Sequence, residues 1–130
     1  MLLGFDPGRD KCGVAVMGND RQLYYHDVVL SESAIASLQL LLEKYSIDLI
    51  VMGDQTTSKQ WKEKIMVNFP HLNIVQVDER YSSLEARDRF WQMYPAKGFS
   101  RLIPEGMRTP PRPIDDIVAI ILMERYLDKK

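Results

Sequence analysis

The first thirty residues alternate apolar runs with turn residues, which is the pattern of an antiparallel meander. Residues 2–7 (LLGFDP) and 12–18 (CGVAVMG) are apolar runs that are closed by Asp-Pro-Gly and Asn-Asp, respectively. Residues 22–30 (QLYYHDVVL) are rich in Tyr, Val and Leu. Because aromatic and β-branched runs between turn signals are typical of strands, we expect three consecutive antiparallel strands.

The middle of the chain changes to the three- and four-residue spacing of amphipathic helices. This spacing predicts helices over 31–45, 57–69 and 82–94. Ser82 and Glu85 stand three residues apart at the start of the third helix. That spacing predicts a capping box, in which the serine caps the helix and the glutamate side chain reaches back.

Two short apolar runs and a proline-rich segment complete the pattern. Residues 48–53 (DLIVMG) and 73–77 (NIVQV) predict strands buried on both faces. Residues 95–114 hold five of the seven prolines and predict a long loop, and 115–127 predict a last helix. The element order predicts an α/β fold, a mixed five-stranded sheet (antiparallel meander plus parallel strands) with helices on both faces.

Length and composition fit one domain that spans residues 1–130, with 45% hydrophobic and 27% charged residues. A chain of this size buries roughly two-thirds of its unfolded surface without disulfides. The single cysteine, Cys12, lies in an apolar run and is predicted to be buried. The longest apolar run, 117–123, is far shorter than the roughly 20 residues of a membrane span. We therefore expect a cytoplasmic protein without a membrane partner.

Acidic residues stand at the ends of the predicted strands and at the start of the last helix. Because the carboxyl ends of strands in an open α/β sheet form one edge, these acids are expected to converge. Crowded carboxylates repel one another unless a cation holds them, and oxygen-only ligands select Mg²⁺ or Mn²⁺. The acids are Asp6, Asp54, Asp78, Glu79, Asp115 and Asp116.

Each of these acids also has an ordinary structural explanation when it is taken alone. Asp6 precedes Pro7-Gly8 and fits a turn, whereas Asp115 or Asp116 fits a helix cap. Asp54 fits the charged start of a helix, and Asp78 or Glu79 fits an exposed acid in a loop. The metal-site hypothesis depends on their shared location at one edge of the predicted sheet.

The near-neutral net charge of -1 hides an uneven distribution. Residues 80–112 carry seven basic and three acidic side chains, a balance of +4, which leaves -5 for the rest of the chain. Aromatic residues are interleaved with these cations, a combination that suits phosphates and unpaired bases, although aromatics at helical spacing are also typical of a core. The loop cations predicted to contact phosphates are Lys97, Arg101, Arg108 and Arg112.

Three segments together resemble one known family. GFDPGRDKCGVAV, VDERYSSLEAR and PIDDIVAIILMERYL occur in the order found in the YqgF/RuvX family of ribonuclease H-like proteins. Its members are known as Holliday junction resolvases and as nucleases of pre-16S ribosomal RNA processing. The resemblance implies an RNase H-like fold, a cytoplasmic setting and phosphodiester hydrolysis that depends on Mg²⁺ or Mn²⁺.

The family's acidic residues fall on specific positions of this chain. The resemblance implies that Asp6, Glu79 and Asp115 are catalytic metal ligands, with Asp116 adjacent to the last of them. It also implies a role in nucleic-acid binding for Arg80, which follows Glu79 in the same motif. One departure is GDQTTSKQW after the fourth strand, which puts Asp54 where the common form has an apolar residue. Asp54 therefore competes with Glu79 as the second ligand.

The remaining departure and the alternatives concern substrate and mechanism. The proline-rich segment is longer than that of the common form and resembles the cyanobacterial branch of the family. Pre-16S RNA and branched DNA both remain open as substrates, and a two-fold junction would favour a homodimer. One alternative is a non-catalytic RNA-binding ribosome-assembly factor on the same fold. Another is a nucleotide-binding domain, since Asp6-Pro7-Gly8 is similar to the phosphate grip of actin-like sugar kinases.

Overall fold

The structure is a computed structural model of the chain. It describes residues 1–55, 57–96, 98–104 and 109–129. In this part of the chain, the helices are all too short or too polar to cross a membrane. Two residues of the predicted phosphate-contact set, Lys97 and Arg108, lie outside the described residues.

The antiparallel meander predicted for the first thirty residues is confirmed. Its strands are β1 (Leu2–Asp6), β2 (Lys11–Met17) and β3 (Leu23–Leu30). β2 pairs with both neighbours in antiparallel register. At the end of β1, Asp6 is opposite Gly13, so the first acid of the predicted site lies beside β2.

The two later strands add a parallel half to the same sheet. β4 (Leu49–Gly53) pairs with β1, and β5 (Asn73–Val77) pairs with β4, both in parallel. The sheet order is β3-β2-β1-β4-β5, which confirms the predicted mixed five-stranded sheet. Because β1, β4 and β5 run in the same direction, the segments that follow them leave from one edge.

Helices cover both faces of the sheet, as predicted. On one face α1 and α2 bury Leu38 and Ile65, and on the other α3 and α4 bury Phe90 and Leu122. Short 3₁₀ turns precede α1 and follow α3. The helices are α1 (Ala34–Lys44), α2 (Ser58–Asn68), α3 (Ser82–Met93) and α4 (Asp115–Asp128).

Cys12 is fully buried beneath α1, and this confirms the expectation for the single cysteine. Its Sγ lies 3.4 Å from Ser31 Oγ. Burial raises the pKa of the Cys12 thiol. The thiolate is the nucleophilic form of cysteine, so this environment favours an unreactive core residue.

The start of α3 differs from the predicted capping box. Tyr81, not Ser82, is the residue that precedes the helix, and it adopts the left-handed conformation at φ 60°. Ser82 is buried as the first helical residue, and no side chain caps the helix. The prediction was wrong because the chain must turn sharply out of the segment after β5 before the helix can pack on α4.

Candidate active site

Asp6 is a half-buried carboxylate at the end of β1. Burial, followed by the negative charges of Asp115 and Glu79, raises the pKa of Asp6 from 3.8 to about 8. The same three acids are those that the resemblance assigns to catalysis. The fold therefore gathers carboxylates from β1, the segment after β5 and α4 within electrostatic reach of one another.

Asp115 owes its location to the close approach of α4 to β2. It is the first residue of α4, and its backbone lies directly over Gly13 of β2. A Cβ atom at Gly13 would come within 1.8 Å of the Asp115 carbonyl oxygen. Burial raises the pKa of Asp115, and the charge of Asp116 adds to this, whereas Lys11 opposes it.

Glu79 reaches the site across the end of β4. The backbone N–H of Gln55 donates a hydrogen bond of 2.7 Å to Glu79 Oε1. The carboxyl group also lies against Gly53, where an added Cβ would come within 2.5 Å of Glu79 Cδ. Gly53, the last residue of β4, therefore leaves space for the carboxyl group of Glu79, which follows β5.

Asp54 lies near this cluster but is not one of the charges that raise the pKa of Asp6. It is an exposed residue that immediately follows β4. Its charge acts instead on Arg80, contributing to the raised pKa of that guanidinium. The cluster around Asp6 therefore contains Glu79 and Asp115, and Asp54 faces solvent beside it.

Asp116 is buried, and its carboxylate is already engaged by protein groups. Oδ2 lies 2.6 Å from His26 Nδ1, and Oδ1 accepts hydrogen bonds from Arg112 Nη1 at 3.1 Å and from the backbone of Ile117 at 3.0 Å. Because a buried carboxylate needs such partners, this arrangement accounts for Asp116 without a metal ion. Of the two adjacent acids, Asp115 is the one within reach of Asp6.

The sequence does not single out His26, because no other histidine or cysteine stands at a metal-ligand spacing from it. His26 is opposite Ala15 in the sheet, and Ala15 faces the core under α4. The period of two along β3 would have put this side chain on the α4 face. Only the packing of α4 brings it to Asp116.

Several of the basic residues are paired with acids of the same domain. Arg80, 75% exposed, donates to both carboxylate oxygens of Asp78. The Arg112 guanidinium is half-buried, pairs with Asp116 and lies 5.5 Å from the ring centres of both Phe90 and Tyr94. Arg101 is exposed in the 3₁₀ turn after α3. Of the predicted phosphate-binding residues, Arg80 and Arg101 face solvent, whereas Arg112 points inward.

The donor set fits a hard divalent cation in its chemistry. Asp6, Glu79 and Asp115 offer only carboxylate oxygens, the ligands that Mg²⁺ and Mn²⁺ prefer. A cation would also relieve the repulsion that raises the pKa of Asp6. Within the described ranges, however, no three His, Cys, Asp or Glu side chains are already arranged to hold one ion.

The raised pKa of Asp6 predicts how the stability of the metal-free protein depends on pH. Between pH 3.8 and about 8 the folded chain retains a proton on Asp6 that the unfolded chain releases. The free energy of unfolding should therefore fall as the pH rises through this range. In Asp6→Asn the free energy of unfolding should decrease less with pH, so at pH 8 the variant should be more stable than the wild type by about 1 kcal/mol or more. Urea denaturation in EDTA measures the effect.

Asp54→Asn is the matched control for the pH experiment, because it removes one exposed carboxylate outside the cluster. It should leave the slope of stability against pH as it is in the wild type. If the free energy of unfolding depended on pH equally in the wild type and in Asp6→Asn, this would contradict the burial of Asp6 and its repulsion by the neighbouring acids.

The architecture and the site together define a class of protein. A five-stranded mixed sheet with carboxylates at the ends of β1 and β5 and at the start of α4 is the arrangement of a ribonuclease H-like nuclease. The family model of RuvX, described as Holliday junction resolvase, matches residues 1–129. The chain therefore belongs to the RuvX family and is a nuclease that acts on phosphodiester bonds.

One curated protein and one solved structure are similar to this chain. The chain is 25% identical over 146 aligned positions to a protein of Flavobacterium psychrophilum named "Putative pre-16S rRNA nuclease", with 99% of this chain and 97% of that protein covered. A crystal structure of a "putative sugar kinase" from Cytophaga hutchinsonii is similar with a TM-score of 0.49 at 12% identity. That match covers 67% of this chain and 38% of the kinase chain.

Proposed function

We propose that this chain is a divalent-metal-dependent nuclease that processes precursor ribosomal RNA, with Asp6, Glu79 and Asp115 as its metal ligands. The observation that carries the proposal is the convergence of these three carboxylates, which come from β1, from the segment after β5 and from the start of α4. Like charges at a partly buried site repel one another, and the raised pKa of Asp6 reflects this. Binding of a cation removes the repulsion.

When bound, Mg²⁺ or Mn²⁺ would lower the pKa of an attacking water and stabilise the leaving oxygen. The chain holds the three carboxylates together at a partly buried edge of the sheet. Gln55 orients Glu79 through its backbone N–H, and Gly53 leaves space for that carboxyl group. His26 and Arg112 hold Asp116, which fixes the first turn of α4 and with it Asp115.

Phosphates that flank the cleaved bond would contact exposed cations near the site. Arg80 follows Glu79 directly and is 75% exposed, and its surface ion pair with Asp78 is weak enough for a phosphate to replace the carboxylate. Arg101 is exposed in the turn after α3. Their contacts would add affinity without sequence preference. Arg112 would act indirectly instead, because its guanidinium is committed to Asp116 and to two aromatic rings.

RNA is the substrate we propose, on the basis of the Flavobacterium relative, which spans nearly the whole chain. Branched DNA is the second candidate, and it is favoured by the description of the family. The two differ in the assembly that they need. A two-fold junction presents two equivalent cuts to a symmetric dimer, whereas one RNA cut needs only one site.

The test compares the two substrates under the same conditions. Purified protein is incubated with a pre-16S RNA fragment or with four-way junction DNA, in Mg²⁺, in Mn²⁺ and in EDTA. We expect cleavage of the RNA in either metal and none in EDTA. Cleavage of the junction alone would overturn the RNA assignment.

A parallel measurement addresses the non-catalytic alternative. Thermal unfolding is followed as Mn²⁺ is added, because a bound ion raises the melting temperature by mass action. We expect a rise in the wild type that is lost in Asp6→Asn. RNA binding without cleavage and without a Mn²⁺-dependent rise would identify a ribosome-assembly factor instead.

A further inference from the structure

Tyr81 is an exposed aromatic residue held in an unusual backbone conformation. Its side chain is 75% exposed, although it lies between two regular elements of a small domain. Its φ of 60° and ψ of 10° are in the left-handed region, which bulky residues seldom occupy and which costs about 1–2 kcal/mol. A glycine or asparagine would satisfy the turn at lower cost. The turn alone therefore does not explain a tyrosine at this position.

The Tyr81 ring borders an open cavity of about 460 Å³. This volume lies within the range of small-molecule binding sites. The walls come from the segment after β5, the start of α3 and the end of α4. The cavity is lined by Asp78, Arg80, Tyr81, Glu85, Arg125, Asp128 and Lys129.

The charge of the lining indicates what the cavity would accept. Three cationic and three acidic side chains surround one aromatic ring, so the cavity is nearly neutral. Both arginines are also paired with acids of the lining, Arg80 with Asp78 and Arg125 with Glu85. A phosphate would meet as many acids as cations here. A flat, uncharged ring with donors and acceptors at its edge fits better.

The chain connects this cavity directly to the candidate active site. Glu79 turns toward Gly53 and the cluster around Asp6, whereas its neighbours Asp78 and Arg80 line the cavity. Two residues after Glu79, Tyr81 presents its ring. The ring therefore stands two residues along the chain from an acid of the cluster.

We propose that the Tyr81 ring is a stacking platform for one unpaired nucleobase next to the cleaved phosphate, with Arg125 and Glu85 at the edge of the base. This inference rests on the proposed function, because it assumes a nucleic-acid strand at the cluster. Stacking on Tyr81 would then direct cleavage to phosphates whose neighbouring nucleotide is unpaired. Stacking tolerates any base, so the platform selects single-stranded character instead of sequence.

The experiment measures binding of a fluorescent single-stranded RNA oligonucleotide in EDTA, where binding is separate from cleavage. Tyr81→Gly removes the ring and suits the left-handed backbone, so the variant should fold at least as stably as the wild type. We expect it to bind RNA about 5- to 100-fold more weakly, the loss expected for one stacked base. Tyr81→Phe keeps the ring and should bind like the wild type. Tyr24→Ala, which removes another exposed tyrosine, is the matched control.

A second set of oligonucleotides, each with one abasic position, identifies the stacked base. One abasic position should weaken binding to the wild type by the same factor as Tyr81→Gly does, and should weaken the variant no further. Three results would each overturn the stacking platform. Tyr81→Gly could bind RNA as tightly as the wild type, the abasic position could weaken both proteins equally, or the wild type could fail to bind RNA. Failure of the proposed nuclease function would give a different result. The wild type would cleave RNA in neither metal, whereas Tyr81→Gly would still bind RNA more weakly than the wild type.

Discussion

Asp6→Asn should abolish metal-dependent cleavage and leave the protein folded. The substitution removes one ligand from a three-carboxylate set, and the expected loss in rate is at least about a thousandfold, since metal stabilisation of charge contributes several kcal/mol. The fold should survive because the asparagine is nearly isosteric and relieves the repulsion from Asp115 and Glu79. Single-turnover cleavage of the RNA fragment in saturating Mn²⁺ measures the rate.

Asp54→Asn is the control that identifies the second ligand. Asp54 is exposed and acts on Arg80, so its loss should leave the cleavage rate close to that of the wild type. Glu79→Gln should be as inactive as Asp6→Asn. If Asp54→Asn were inactive and Glu79→Gln active, the second metal ligand would be Asp54 and not Glu79. Unchanged cleavage in a contaminant-free preparation of Asp6→Asn would overturn the mechanism.

Gly13→Ala should destabilise the protein by at least about 3 kcal/mol and remove its activity. The added Cβ would stand 1.8 Å from the carbonyl oxygen and 2.1 Å from the carbonyl carbon of Asp115. These are backbone atoms at the start of a buried helix, so neither side has a rotamer with which to move away. The start of α4 must shift, at a cost at or above the upper end of the usual overpacking range. Urea denaturation measures the loss.

Gly53→Ala is the matched control for Gly13→Ala. Its Cβ would also meet an acid of the cluster, at 2.5 Å from Glu79 Cδ, but that atom is the far end of a flexible side chain. Stability should therefore change by about 1 kcal/mol or less, whereas cleavage should fall because Glu79 is displaced. A Gly13→Ala protein as stable as the wild type would show that α4 does not depend on this contact.

The strand pattern alone predicted most of the fold and the edge of the sheet at which the candidate site lies. Period and turn chemistry are local properties, so LLGF, LIVMG and NIVQV were identified as strands without knowledge of their partners. An acid that directly follows such a strand must lie at the sheet edge. The strand rule therefore placed Asp6, Asp54 and the Asp78-Glu79 pair at this edge. The choice of Glu79 came from the resemblance, and Asp115 followed from the start of a strongly apolar helix and from the resemblance.

Packing between distant segments decided the rest. Asp115 and Asp116 are neighbours in the sequence, but α4 rests on Gly13 so that Asp115 is within electrostatic reach of Asp6 and Asp116 is buried against His26. Arg112 turned inward for the same reason. The left-handed Tyr81 arises where the segment after β5 must turn into α3. A sequence determines where its elements begin and end because those signals are short-range, whereas the direction of a side chain depends on which remote surface it meets.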